Sequence, residues 1–372
     1  MVSTSKYHVS LWLKFLSAAF FLQIFISFMV FTWLIFFGGI RSQVWPNVDM
    51  VHSLSSGYHQ ESIKNTGNRA VRLFVAILSH PNRKERRDAI RDTWFSACND
   101  KRVQVQCRFF SDYVGLNSKS KYSLSKEKDQ NKDLEILNAT DSFAFAERLL
   151  LIWEWTNKNS NFDYDFFLRI DDDHFLCVDR LVNELQYRPK DGLYWGFVHC
   201  HPRVVRIDEA WLLLSKDLIQ EIMEKRKNKS LFCHPYGDQA VAMWINTIHK
   251  NITYFMDNKR IIHKSAGRDP NYYRMSVCGK YLSLHGTYPR AMKQLWLLSH
   301  TMQNKYRIDM VYKVPEIAEF SNLCKFSPNF EYNAFLPEYQ FKPKLCHLNP
   351  KWAISKTRHG GREEEGERYS SY

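Results

Sequence analysis

An apolar segment that runs straight into a block of carboxylates sets the terms for the whole chain. Tyr164-Asp165-Phe166-Phe167-Leu168-Arg169-Ile170-Asp171-Asp172-Asp173-His174-Phe175 reads as a buried strand that ends in three consecutive aspartates. Neighbouring like charges raise one another's pKa and repel. A divalent cation removes that cost, and hard carboxylate oxygens suit Mg²⁺ or Mn²⁺. In open α/β sheets, ligands sit just beyond the carboxyl ends of strands. The stretch therefore predicts a metal site that grips a phosphate-bearing ligand. The competing reading is an acidic surface turn, because Asp is common in turns.

The rest of the chain supplies a matching frame. Val71 to Ser79 is a second buried strand, ended by His80-Pro81, and a helix is expected over Arg83 to Trp94. Arg83, Arg87 and Arg91 are four apart and share one face of that helix. Arginines near the start of a strand-turn-helix make a phosphate site, with a solvated basic face as the alternative. Val103 to Phe110 reads as a strand, and the polar Gly115 to Lys132 as a mobile loop. Asp141 to Trp155 is a long amphipathic helix. Further strands are expected at Leu193 to Val198, Trp211 to Ser215, Ile252 to Met256, Arg260 to His263 and Tyr281 to His285. Helices are expected at Val178 to Tyr187, Asp217 to Lys227, Asp238 to Ile245 and Tyr288 to Trp296. Asp238 opens its helix, where a carboxylate can serve as a plain N-cap. Alternating strands and helices argue for a mostly parallel α/β domain.

Phe15 to Ile40 contains no charged residue, and about 20 apolar residues suffice to cross a bilayer. A signal peptide would have a shorter apolar region, roughly 7–15 residues, so an uncleaved anchor is the expectation. Lys6 and Lys14 precede the segment and point the N-terminus to the cytoplasm, leaving the remainder in the secretory lumen. Eight cysteines, an even number without a CxxC pattern, permit disulfides there, with the pairing open. Asn138, Asn228 and Asn251 each begin a glycosylation sequon. The net charge of +13 is scattered along a chain placed away from nucleic acid, so it reads as solubility and a bias toward anionic ligands. The organisation is then a cytoplasmic tail (1–14), transmembrane anchor (15–40), luminal stem (41–70), catalytic domain (71–300), C-terminal extension (301–359) and disordered tail (360–372).

These motifs together resemble the β-1,3-galactosyltransferases and their relatives, glycosyltransferase family 31. Arg86-Arg87-x-x-Ile90-Arg91-x-Thr93-Trp94 looks like the family's ERRxxIRxTW signature, and Arg169-x-Asp171-Asp172-Asp173-x-Phe175 like its KxDDDxF. Asp238 and Trp244 match part of EDVxxGxW, while His285, Pro289, Met292 and Trp296 match HxxxPxxMxxxW. Three departures stand out. Gly237 replaces the family's Glu before the catalytic Asp, Phe145-Ala146-Glu147-Arg148 stands in a helix that normally carries NLTxK, and the segment between Arg206 and Trp211 is short.

The resemblance implies a GT-A nucleotide-sugar-binding fold with a mostly parallel sheet, an inverting transfer from a UDP-sugar, and Mn²⁺ as cofactor. It implies that Asp173 and His285 bind the metal, and that Asp171 and Asp172 hold metal-bound water or the donor. Arg87 and Arg91 would belong to the nucleotide pocket, and Asp238 would be the catalytic base. UDP-galactose as donor, a glycan or glycoprotein as acceptor and a single-pass type II position in the Golgi membrane are the corresponding expectations. Gly237 and the short segment motivate a second expectation, a catalytically silent relative that binds glycans or scaffolds another protein.

Overall fold

The computed structural model describes Gln23 and residues 71–99, 104–113, 116–139, 145–159, 163–200, 205–274, 276–305 and 343–350. The expected anchor, apart from Gln23, and the stem and charged tail lie outside the described residues. Among the described residues no helix is long and apolar enough to cross a membrane.

In chain order the elements are β1 (Arg72–Leu78), α1 (Lys84–Arg91), β2 (Gln104–Asp112), α2 (Ser118–Asn131), β3 (Leu134–Leu137) and α3 (Phe145–Asn159). Then come β4 (Phe166–Asp171), β5 (Phe175–Leu176), α4 (Val178–Leu185), β6 (Leu193–Cys200), β7 (Val205–Ser215) and α5 (Lys216–Lys227). The series closes with β8 (Phe232–Cys233), α6 (Gly237–Asn246), β9 (Thr253–Met256), β10 (Ile261–Ile262), α7 (Val277–Lys280), β11 (Ser283–Leu284), α8 (Pro289–Lys305) and β12 (Lys344–Leu345).

The main sheet has the strand order β3-β2-β1-β4-β7-β6-β9. Its pairings are parallel except where β7 lies antiparallel between β4 and β6, so the sheet is mixed. Successive side chains on a strand point to opposite faces, and the two cores follow that rule. Leu73, Val75 and Ile77 of β1 join Leu168, Ile170, Trp195, Trp211 and Leu213 on one face, under Ile90 of α1 and Leu181 of α4. Phe74 and Ala76 join Phe167, Tyr194, Leu212 and Leu214 on the other, under Trp153 of α3, Ile219 of α5 and Trp244 of α6. With both faces covered, the central segments Leu73 to Leu78 of β1 and Trp211 to Leu214 of β7 are apolar throughout, which is why they are legible as continuous hydrophobic runs.

One expected loop is a helix. The stretch expected to be a mobile loop folds as α2, begun by the Asn117 side chain accepting from Ser120 N and ended by Lys132 in the left-handed region. Its anchor to the core is a charge: Glu127 is 2% exposed and ion-paired to Arg87 and Arg91. An apolar stripe is what sequence periodicity detects, and this helix buries only Leu124 beside Glu127.

The turn before α6 carries a buried titratable group. His234 is 1% exposed, and its Nδ1 accepts the backbone N–H of Tyr236. Burial pushes this imidazole down to about 3. The unfolded chain takes up the proton below about pH 6.5. Stability from this site is therefore complete above that pH and falls between about pH 6.5 and 3, by about 1.4 kcal/mol per pH unit. His234→Asn retains an acceptor for Tyr236 and does not titrate. Its unfolding free energy, followed by urea titration, is expected to depend less steeply on pH than the wild type's across pH 6 to 4, and equal slopes would show that His234 is charged in the folded protein.

Candidate active site

The acidic run leaves the sheet at the end of β4, where Leu78 of β1 lies level with Asp171. The chain then enters a separate three-stranded sheet, β10-β11-β5. There Phe175 pairs with Leu284 and Leu176 with Ser283. The backbone N–H and the hydroxyl of Thr287 both donate to the Asp173 carbonyl, at 2.8 and 3.0 Å. Gly286, at φ +67°, makes the turn after His285 in a conformation that favours glycine. These contacts bring Asp173 and His285 together, with Oδ1 to Nε2 at 3.6 Å.

Asp173, His174 and His285 form a group able to hold a metal ion. The separation of 3.6 Å is too long for a hydrogen bond and short enough for both atoms to share one cation. Asp173 Oδ1 and His174 Nε2 are buried without a hydrogen-bond partner among the described residues. Such orphaned atoms are costly unless a ligand satisfies them. His285 Nδ1 lies 2.7 Å from the His263 carbonyl, so that nitrogen carries the proton and Nε2 presents its lone pair toward Asp173. His174 was not singled out in the sequence, although it follows the acidic run directly. A second group is closed instead: Asp208 Oδ2 lies 2.6 Å from His199 Nε2 and 3.3 Å from His263 Nδ1.

The neighbouring acids do different work. Asp171 ion-pairs with Arg169 at 2.9 Å, and its side chain is 34% exposed. Burial, opposed by Arg169 and reinforced by Asp173 and Asp172, pushes it up to about 6. Asp172 faces inward and is 1% exposed. Its Oδ2 accepts from Ser79 at 2.8 Å and its Oδ1 from Arg86 at 2.9 Å, with Arg83 at 3.5 Å. Both oxygens of Asp172 are thus engaged within the protein, which anchors the acidic run to Ser79 and Arg86.

The arginines are redistributed in the same way. All five N–H groups of Arg87 are used inside the protein, by Glu127, Ser79, His80 and Pro81. Arg91 binds Asp133, Asp88 and Glu127. These contacts fix α1 against β1 and α2. Arg86, one residue from Arg87, is the arginine that meets the acidic run. It lies 3.6 Å from Asp173 Oδ2 and over the Tyr288 ring. Trp94 pins the segment after α1 by donating to the His174 carbonyl at 3.0 Å.

Asp238 sits in the first turn of α6, 9% exposed. Tyr236 holds the N-cap position, and Asp238 Oδ1 accepts from Gln239 N at 2.8 Å. Arg206 Nε lies 2.5 Å from its Oδ2. The Asp238 charge acts on His263, which stacks on His285, and on Glu209, which also feels Asp171. The candidate base and the candidate metal group are therefore linked electrostatically through His263 and Glu209. Arg206 and Glu209 belong to the short segment before Trp211, which is part of β7. Its antiparallel register puts Trp211 opposite Ile170, so the residues preceding Trp211 lie at the rim where β4 ends.

Residues 85–211 match the family model described as Galactosyltransferase. That span holds the arginine helix and the acidic run and stops before Asp238 and His285. Among curated proteins, Hydroxyproline O-galactosyltransferase GALT6 of Arabidopsis thaliana is 26% identical over 265 residues, covering 65% of this chain and 37% of that protein. Beta-1,3-galactosyltransferase 6 of Mus musculus is 32% identical over 138 residues, covering 36% of this chain and 42% of that protein. The chain thus spans less than half the length of either relative. Among solved structures, the mannosyltransferase PcManGT from Pyrobaculum calidifontis, in complex with GDP-Man and Mn²⁺, is 10% identical with a TM-score of 0.34, covering 64% of this chain and 70% of that one. The bifunctional glycosyltransferase WbbM, at 10% identity and a TM-score of 0.37, covers 64% of this chain and 52% of its own.

The inward and outward acids should separate experimentally. Asp173→Asn in the full chain is expected to weaken Mn²⁺ binding by at least about tenfold in calorimetry, since loss of even an outer-shell partner commonly costs about 10- to 100-fold. Asp172→Asn leaves Arg86 short of its buried carboxylate and should chiefly lower stability, by about 3–5 kcal/mol. A larger loss of Mn²⁺ affinity from Asp172→Asn than from Asp173→Asn would reverse these assignments.

Proposed function

We propose that the chain is a GT-A glycosyltransferase of the family 31 kind, moving a hexose, galactose in β-1,3 linkage, from a UDP-sugar to a glycan or glycoprotein acceptor with inversion; the match of residues 85–211 to the Galactosyltransferase family model supports this reading. The observation that carries this reading is the unpartnered Asp173 Oδ1 facing His285 Nε2 across 3.6 Å at the end of a sheet strand. Residues 15–40 anchor the chain in the Golgi membrane in this reading, with the domain in the lumen.

Bound Mn²⁺, held by Asp173 and His285 with His174 beside them, would supply the positive charge that offsets the leaving diphosphate. The residues of the chain do the rest. Arg86 and Arg83 hold Asp172 inward, and the Asp172–Ser79 hydrogen bond fixes the turn after β1 on which the nucleotide would rest. Arg169 orients Asp171 from the same strand. Asp238 accepts the proton of the acceptor hydroxyl, from the far side of the sugar relative to the diphosphate. Holding the two substrates in line is then the protein's largest contribution, and no covalent intermediate is needed.

A second reading is favoured by one contact. Arg206 Nε lies 2.5 Å from Asp238 Oδ2, and a carboxylate paired with arginine is a weaker proton acceptor until the pair opens. Were the pair permanent, the chain would bind a sugar nucleotide without transferring the sugar.

The full chain assayed with UDP-galactose, Mn²⁺ and a glycan acceptor distinguishes the two. Asp238→Asn should keep Mn²⁺-dependent UDP binding while transfer falls by about 10²- to 10⁴-fold, the range of general-base catalysis. Transfer at the wild-type rate in Asp238→Asn would remove the base assignment. UDP binding by the wild type with neither transfer nor slow donor hydrolysis would establish the silent reading.

A further inference from the structure

Glu209 is the acid that neither the motifs nor the metal group accounts for. It stands on β7 two residues before Trp211, whose partner across the sheet is Ile170, the residue ahead of the acidic run. Its backbone carbonyl accepts from Arg169 Nη1, which ties the strand to the arginine that also holds Asp171. Its side chain reaches the start of α6. A β-carbon built on Gly237 would collide with Glu209 Oε2, so the carboxyl fills the space that any other residue at 237 would need. Gly237 has no left-handed conformation to explain it. Close approach of this carboxyl explains it.

Among the described residues the Glu209 carboxyl makes no hydrogen bond or ion pair. Its surroundings do not neutralise it. Burial, opposed by Arg169 and reinforced by Asp238, Asp171 and Asp208, pushes it up to about 8. The shift favours the protonated form, which offers both a donor and an acceptor, the pair of functions that a sugar hydroxyl matches. It is placed among Asp171 on the donor side, Asp238 at the candidate base position and the hollow around them.

We propose that Glu209 binds the transferred sugar: its carboxyl, reaching over Gly237 from β7, hydrogen-bonds a hydroxyl of the hexose held between Asp171 and Asp238. The assignment rests on the sugar-nucleotide reading of the site. It also gives Gly237 a purpose. The resemblance leads one to expect a glutamate directly before Asp238, and here the carboxyl comes from the neighbouring strand, which requires that position 237 be bare.

The test compares UDP with UDP-hexoses on the full chain in Mn²⁺, by calorimetry. The hexose is whichever of galactose, glucose, N-acetylglucosamine and N-acetylgalactosamine the wild type binds tightest as its UDP derivative. Glu209→Ala is expected to weaken that UDP-hexose by about tenfold and leave UDP unchanged, because a buried hydroxyl loses its partner. Glu209→Gln keeps a donor and an acceptor and should stay within about threefold of wild type. Gly237→Ala should evict the carboxyl and reproduce the Glu209→Ala loss. Unchanged UDP binding in all three variants reports that they are folded. If the wild type fails to bind UDP, the transferase reading itself falls. If UDP binds and Glu209→Ala binds the UDP-hexose as tightly as wild type, the Glu209 assignment alone is overturned.

Discussion

Two short strands decide whether the candidate site exists. Phe175–Leu176 and Ser283–Leu284 are far apart in the chain and pair antiparallel beside the main sheet. Only through that pairing does Asp173, which ends the acidic run, face His285. The Cys177–Cys278 disulfide reinforces it, joining residues 101 apart just beyond the two strands. Closing a loop of that length removes about 4.7 kcal/mol of chain entropy from the unfolded state in the loop-closure account. A two-residue strand pair has little stability of its own. The covalent bridge and the Thr287 bonds to the Asp173 carbonyl hold it in one register.

Charge is managed in two layers around this point. Glu127, Arg87 and Arg91 form an inner network, with burial that would raise the Glu127 pKa overcome by the two arginines. Ion pairs this buried add little net stability, since desolvation offsets attraction, but breaking one is expensive. Their use here is geometric: they fix α1 and α2 relative to β1 and spend every donor Arg87 has. The outer layer is left with unmatched atoms. Among the described residues, Asp173 Oδ1, His174 Nε2 and the Glu209 carboxyl have no hydrogen-bond partner, and that contrast separates scaffold from site.

Much of the frame was legible in the sequence because the sheet is covered on both faces. Apolar runs such as Leu73 to Leu78, and Phe166 to Ile170 interrupted only by Arg169, leave few other readings. The acidic run at a strand end was read from the residues themselves, whereas the nearness of Asp173 to His285 was implied only by the family resemblance. What stayed hidden depends on contacts across the chain. The polar α2 folds on a buried Glu127, which no hydrophobic period reveals. Arg87 and Arg86 are adjacent, and only the packing of α1 decides which one turns into the core and which one meets Asp172 and Asp173. Glu209 becomes visible only once the register of β7 against β4 is known.

The reversal of β7 has an evolutionary consequence. Its antiparallel neighbour β4 reaches the rim with its last residues, whereas β7 reaches it with its first. Lengthening or trimming the chain ahead of β7 would alter what projects over the rim, while the ladder from Trp211 to Ser215 keeps its register. Selection can therefore retailor one wall of the hollow by insertion and deletion alone, without disturbing the acids on β4. In a lineage of such chains the two walls are free to drift at different tempos.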